Sequence, residues 1–216
     1  YYYGGNMQTQ SPMLIDPFSL FDGALVSGNC VSPGSKTTTY HHQNNAVIRE
    51  LLEGHGTRFN FRAMILSPLK TRLKDKERSA MLVAQLARFV GADGVIVSQE
   101  GFGNPTTDLM MITEQLEKSG IKTVILSNED AGTDGFSESL PDSTPYADAI
   151  VSTGNSNARL LLPPMERTIG DVYAVEKITG GFHGSILPDG GLDVEVHGIM
   201  GSHNLQGMSH LRARSV

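Results

Sequence analysis

The spacing of apolar residues is irregular at the start of the chain and becomes regular from its first third onward. Residues 1–22 hold Gly4, Gly5, Pro12 and Pro17 among scattered polar positions and sustain neither a helix nor a strand period, which predicts an irregular arm. Ala24-Leu25-Val26 predicts a short strand that stops at Gly28-Asn29-Cys30, and 31–39 read as turns. Residues 44–54 predict a helix with Val47, Ile48, Leu51 and Leu52 on one face and Gly54 at its end. A regular order follows. Residues 59–66 predict a strand, 74–90 an amphipathic helix stopped by Gly91, and 94–98 a buried strand. A second helix is expected over 105–119, with Asn104 as its cap, Pro105 in its first turn, and Leu109, Ile112 and Leu116 facing inward. Strands at 121–127 and 147–152 come next, then extended segments at 174–177, 181–187 and 192–200. Pro188-Asp189-Gly190-Gly191 is a hairpin signal between the last two.

Strands alternating with helices of this length predict an α/β fold. The expected form is a doubly wound, mostly parallel sheet, Rossmann-like or flavodoxin-like, with an irregular N-terminal arm and a β-rich C-terminal segment. The arm is expected over 1–22 and a single α/β domain over 23–216. Such sheets bind ligands beyond the carboxyl ends of their strands. Those ends are polar here: Ser98-Gln99-Glu100-Gly101-Phe102-Gly103-Asn104, Ser127-Asn128-Glu129-Asp130-Ala131-Gly132 and Thr153-Gly154-Asn155. Together they predict one crevice rim carrying Glu100, Glu129 and Asp130.

Composition narrows the chemistry. A formal net charge of −6 over 216 residues argues against a nucleic-acid binder, which needs a basic face. No apolar run approaches membrane-spanning length, so no membrane partner is expected. The single cysteine excludes an internal disulfide framework and thiolate-rich metal sites; with no signal peptide visible, it predicts a cytoplasmic protein. The start at Tyr1-Tyr2-Tyr3-Gly4-Gly5, without an initiator methionine, reads as that of a fragment. Lys70, Arg72, Lys74, Lys76 and Arg78, interrupted by Asp75 and Glu77, read as an exposed helix face of mixed sign.

Several motifs are weak. Gly101-Phe102-Gly103-Asn104 lacks the third glycine of a dinucleotide fingerprint and reads as a tight strand-to-helix turn, so no nucleotide is expected. Tyr40-His41-His42-Gln43-Asn44-Asn45 is dense in hydrogen-bonding side chains, but adjacent histidines cannot share a metal from a regular helix, and no metal is expected. The hexapeptide is either a helix start with an asparagine cap or a cluster of donors with a proton carrier. Cys30 is the remaining chemical group. A lone cysteine is most often a small buried hydrophobe. This one sits at a predicted strand end after Gly28-Asn29, where its thiol can attack the preceding carbonyl. The resulting thioester, on β-elimination and hydrolysis, leaves a pyruvoyl group at a new N-terminus, a ketone suited to reacting with amines.

Gly28-Asn29-Cys30, Thr39-Tyr40-x-His42-Gln43-Asn44-Asn45, Gly120-Ile121-Lys122-Thr123-Val124, Ser139-Leu140-x-Asp142, the run from Ala147 through Asn155, and Leu162-Pro163-Pro164-Met165-Glu166 resemble the pyruvoyl-forming precursor of component B of glycine, sarcosine and betaine reductases. Gly180-Gly181-Phe182-His183-Gly184-Ser185 and Gly201-Ser202-x-Asn204-Leu205 resemble it too. The D-proline reductase precursor is the nearest competitor. The resemblance implies cleavage between Asn29 and Cys30, a pyruvoyl group derived from Cys30, and residues 1–29 as the tail of an upstream fragment of the same precursor. It further implies an iminium between that ketone and a small amino-acid substrate, with reductive displacement of the amine by a selenocysteine-containing partner subunit, a carrier selenoprotein, and an oligomeric assembly.

Residue chemistry and position, rather than the resemblance, nominate the supporting groups. His42, with His41 as second choice, is the expected proton carrier, since an imidazole titrates near neutrality. Gln43, Asn44 and Asn45 are expected to orient the substrate carboxylate or the scissile carbonyl. Glu100 and Glu129 are crevice carboxylates, with Asn104 and Asn155 beside them. The rival readings are a D-proline reductase pyruvoyl subunit, a non-catalytic α/β scaffold that binds the selenoprotein, and a ligand-binding domain using the acidic rim.

Overall fold

A computed structural model describes residues 1–26 and 37–200, the side chain of Met200 excepted. Asn29, Cys30 and 201–216 lie outside the described residues. The elements in order are β1 (Met13–Ile15), α1 (Thr39–Gln43), α2 (Ala46–Gly54), β2 (Met64–Leu66), α3 (Leu73–Phe89), β3 (Gly94–Ser98), α4 (Asn104–Lys118), β4 (Lys122–Glu129), β5 (Ile150–Asn155), β6 (Arg159–Leu162), β7 (Leu192–Glu195) and α5 (Val196–Met200). This is a mixed α/β structure. β3, β4 and β5 form a parallel sheet, while β1–β2 and β6–β7 are antiparallel pairs. Among the described residues no helix is long and apolar enough to cross a membrane.

The core lies between the parallel sheet and the pair α3–α4. Ala80, Val83, Ala84 and Ala87 of α3 meet Leu109, Ile112 and Leu116 of α4, and both helices cover Val97 and Ile125 of the sheet. Alternate strand residues point to opposite faces, so Ile96, Val124 and Val151 turn the other way and remain 45%, 38% and 46% exposed. The second layer of helices expected of a doubly wound sheet is not found among the described residues. The link from β4 to β5 holds Gly132, Gly135, Pro141 and Pro145 and contains no regular element, so it supplies no crossover helix.

Several boundaries also differ. Within the arm expected over 1–22, Met13-Leu14-Ile15 forms β1 and pairs with β2 from Met13↔Leu66 to Ile15↔Met64. Three apolar residues between Pro12 and Asp16 are too few to display a period. Lys70 Nζ further ties the arm down through the carbonyls of Gln8 and Gln10, at 2.9 and 2.6 Å. Leu25 makes only an isolated bridge to Tyr2, so no strand forms at 24–26. In the C-terminal part, β7 pairs with β6, a strand the alternation did not announce; Val172–Lys177 is a 3₁₀ turn, and the extended segment expected to 200 ends in α5.

The face of α3 expected to be exposed contains a buried ion pair. Lys76 and Asp108 are each 5% exposed and joined by a salt bridge, and Lys76 Nζ also donates to the carbonyl of Asn104 at 3.0 Å. Burial pushes the Asp108 carboxyl up, while the Lys76 ammonium pulls it back. The pair locks α3 to the first turn of α4. Replacing Lys76 by Met leaves a buried carboxylate without its partner and is expected to cost about 3–5 kcal/mol in a denaturant titration, whereas Lys76→Met combined with Asp108→Leu recovers most of that loss. Equal costs for the single and double variants would refute the role given to the pair.

Candidate active site

The site is built where the segment 37–45 meets the carboxyl end of β3. Thr38 is the cap of α1: its hydroxyl accepts from the His41 amide at 3.4 Å, and His41 Nδ1 accepts from the Thr38 amide at 3.3 Å. A histidine thus fills the place that a glutamate or glutamine takes in a capping box. Asn45 caps α2 by accepting from the Ile48 amide at 3.0 Å. Asn44 Nδ2 donates to the Tyr40 carbonyl at 2.8 Å, and Gln43 Nε2 to the Phe21 carbonyl at 3.3 Å. His41, Gln43, Asn44 and Asn45 of this hexapeptide therefore each have a structural task as well as any chemical one.

A long-range bond fastens the segment to the sheet: the Thr37 amide donates to Glu100 Oε1 at 2.8 Å, and Thr37 is buried. Glu100 directly follows Gln99 at the end of β3. The turn into α4 needs Gly101 and Gly103 at φ 83, a left-handed conformation that side chains resist; a Cβ on Gly101 would also meet Pro105 at 3.2 Å. Gly103, not Asn104, holds the cap position of α4. Asn104 is the first helical residue, and its Nδ2 reaches back to the Lys70 carbonyl at 3.2 Å.

These elements surround a cleft of about 1260 Å³. His42, Asn45, Glu100 and Asn104 line it, together with Thr37 and Gln99. His41 is buried behind α1, and neither Gln43 nor Asn44 lines the cleft. Glu129 and Asn155 sit elsewhere. They are register partners at the far ends of β4 and β5, beyond a bulge after Ser127. Glu129 lines a separate depression of about 250 Å³ with Ser127, Asn128, Ser139, Leu140, Ile150 and Ser152. Asn155 staples the following loop: Oδ1 accepts from Ala131 and Asn157, and Nδ2 donates to Gly132. The expected single rim is thus two sites, because the bulge and the stapled loop turn Glu129 away from Glu100.

Burial lowers the pKa of His42, and His41 nearby lowers it further, while the Glu100 charge opposes both. The imidazole is neutral at pH 7 and available to accept a proton. Burial alone lowers His41.

Gln99 is a residue that pattern reading passed over. It is buried and donates from Nε2 to Ser127 Oγ at 3.2 Å; Ser127 in turn donates to the Asn128 carbonyl at 3.0 Å, and Asn128 Nδ2 donates to Ser156 Oγ at 2.6 Å. Because the Ser127 proton is committed to Asn128, the bond from Gln99 must come from its amide nitrogen. This leaves Gln99 Oε1 as a buried acceptor without a partner among the described residues. The available signal was its place: the second polar residue after the Val-Ile-Val run of β3, at a carboxyl strand end.

Over residues 1–214 the chain matches the family of glycine/sarcosine/betaine reductase component B subunits. It is 46% identical over 214 residues to the glycine reductase complex component B subunits alpha and beta of Peptoclostridium acidaminophilum, covering 99% of this chain and 50% of that protein. The sarcosine reductase complex component B subunit alpha of the same organism is 42% identical, with the same coverage. The D-proline reductase proprotein PrdA of Acetoanaerobium sticklandii is 26% identical over 118 residues, 54% of this chain and 18% of that one. The chain spans about half the length of the glycine and sarcosine reductase relatives. No solved structure matches it.

A pH test follows from the capping histidine. The folded state holds His41 neutral, whereas the unfolded chain takes up a proton below the ordinary value of 6.5. Its contribution to stability is therefore complete above that value and is lost as pH falls below it. The melting temperature should drop between about pH 7.5 and about pH 5.5, and His41→Gln, which keeps the capping box, should flatten that drop. An unchanged slope in the variant would contradict the assignment.

Proposed function

The chain belongs to the family of glycine/sarcosine/betaine reductase component B subunits, and from that premise we propose that it is the pyruvoyl-bearing part of an amino-acid reductase, an oxidoreductase acting on a small amine of the glycine or sarcosine type. The observation that carries the reading is the convergence of both flanks of the Cys30 segment on one cleft. Leu25 and Val26 on one side and Thr37 on the other line the same space as His42, Gln99 and Glu100. Cys30 itself is four positions beyond Val26, a reach of at most about 14 Å for an extended chain. Greater identity to the glycine and sarcosine reductase proteins than to the D-proline reductase proprotein favours the former substrate class.

The cleft suits such a group on its own chemistry. Gln99 Oε1 is a buried acceptor that needs an N–H, and a protonated substrate amine brings several. A pyruvoyl group formed from Cys30 supplies an electron-withdrawing carbonyl, work that no side chain in the cleft can do. The residues of this chain prepare the substrate for it. His42, neutral at pH 7, takes a proton from the ammonium and leaves the amine nucleophilic. Gln99 holds the nitrogen in place. Glu100 fixes Thr37 and offsets the charge that His42 gains. Asn104 and Asn45 face the cleft from the starts of α4 and α2. The two electrons of the reductive step come from a selenocysteine-containing partner subunit, resupplied by a carrier selenoprotein.

Intact-mass spectrometry of the complete protein tests the proposal. Two fragments are expected, divided between Asn29 and Cys30, with the downstream one reacting with a hydrazide. Cys30→Ala should remain whole and unlabelled. His42→Gln should keep its carbonyl but lose about 10²–10⁴-fold in turnover. Active protein that stays whole, with a thiol at Cys30 that iodoacetamide alkylates, would refute the reading.

A further inference from the structure

The cleft is larger than its proposed chemistry needs, and one of its walls is the bare edge of a sheet. Among the described residues, β3 pairs with β4 and with no other strand. The Lys122 amide donates to the Asp93 carbonyl at 3.1 Å, and the register begins at Gly94↔Lys122. In a parallel ladder this turns the backbone groups of Val95 and Val97 toward β4 and those of Gly94, Ile96 and Ser98 away from it. Among the described residues no strand receives them. The cleft lies on that side: every residue of β3 lines it and none of β4 does.

The opposite wall has the same property. Met64, Ile65 and Leu66 of β2 line the cleft, while β1, their strand partner among the described residues, does not. The free edges of β2 and β3 therefore both border one space. Its floor is core, with Val83 and Ala87 of α3 and Leu109 and Ile112 of α4 all reaching the cleft although they are buried. Pockets that enclose a whole drug-sized molecule span roughly 300–1,000 Å³, so a glycine-sized substrate fills only a small corner of this one. An apolar floor between two open strand edges has the chemistry of a polypeptide site, and open edges of this kind are liabilities when nothing covers them.

We propose that an extended segment from the other half of the component B polypeptide docks in this cleft as an added strand between β2 and β3. The occupant is chosen by length: the glycine and sarcosine reductase relatives carry about as much chain again as is present here, each being matched over only 50% of its length. Main-chain hydrogen bonds to Gly94, Ile96 and Ser98 supply affinity, and alternate side chains of the segment pack on the apolar floor. The docked strand closes the side of the cleft away from His42 and Glu100, leaving the polar end for a small substrate. The inference rests on the family and on the sheet edge, not on the chemistry of Cys30, so either can fail alone.

Hydrogen–deuterium exchange on this chain and on complete component B tests it. The amides of Ile96 and Ser98 should exchange at least about tenfold more slowly in complete component B, while those of Val95 and Val97, already bonded to β4, change little. Equal rates at Ile96 and Ser98 in both samples would overturn the proposal. So would protection that appears in this chain alone and rises with its concentration, which would identify a second copy as the occupant. Ile96→Pro supplies the second arm, needed if this chain alone does not hold its fold. It deletes one outward N–H without touching the β3–β4 ladder. With the two halves supplied as separate chains, it should weaken their association about tenfold; unaltered association would overturn the proposal.

Discussion

A hydrogen bond across 63 positions holds the candidate site together: the Thr37 amide to the Glu100 carboxylate, at 2.8 Å. Glu100 lies two residues beyond β3, an edge strand of the parallel sheet, and Thr37 begins the segment that carries α1 and α2. Joining them sets where Thr38 caps α1, and so where His42 faces. Bonds of this type to a charged acceptor contribute about 1.5–3 kcal/mol each, more than an average neutral pair. Removing this one would loosen the hold of the sheet on Thr37 and the start of α1.

Around that tether the protein uses polar groups as structural parts. The chain from Gln99 through Ser127 and Asn128 to Ser156 links the carboxyl ends of β3 and β4 to the turn after β5, entirely among buried side chains. Lys76 and Asp108 fix the start of α4 from beneath. Buried polar networks resist distortion because a broken link strands a desolvated group. Of the two acceptors this chain leaves without a partner among the described residues, Gln99 Oε1 and Asn128 Oδ1, the first belongs to a residue that lines the cleft, so the rigidity is directed at the place where the proposed substrate amine would lie.

Much of the scaffold was legible in the sequence. α3, β3, α4 and β4 lie within two residues of their expected positions, since a long amphipathic helix repeats its pattern several times and a Val-Ile-Val run between glycine and serine leaves little choice. Short elements were not. β1, three residues long, owes its existence to its pairing with β2, which is only the last three residues of the strand expected over 59–66, and β6 becomes a strand only against β7. Single-residue roles escaped for a related reason. Lys76 sits in a run of mixed charge that reads as solvated, and its burial follows from Asp108, 32 positions away. His41 reads as a titrating side chain until its bond to the Thr38 amide shows it to be a cap. Glu129 and Glu100 look equivalent at neighbouring strand ends, and a bulge after Ser127 separates them.

The tether at Glu100 is central to the proposed chemistry of Cys30, because it positions Thr37 and His42 at the cleft. The direct measurement is the rate at which hydrazide-reactive carbonyl appears in newly synthesised protein, compared between the native sequence and Glu100→Ala, with circular dichroism confirming that both are folded. A slowing of about 10- to 100-fold is predicted, the equivalent of losing one charge-assisted hydrogen bond. A carbonyl that forms at the native rate in folded Glu100→Ala protein would contradict the account.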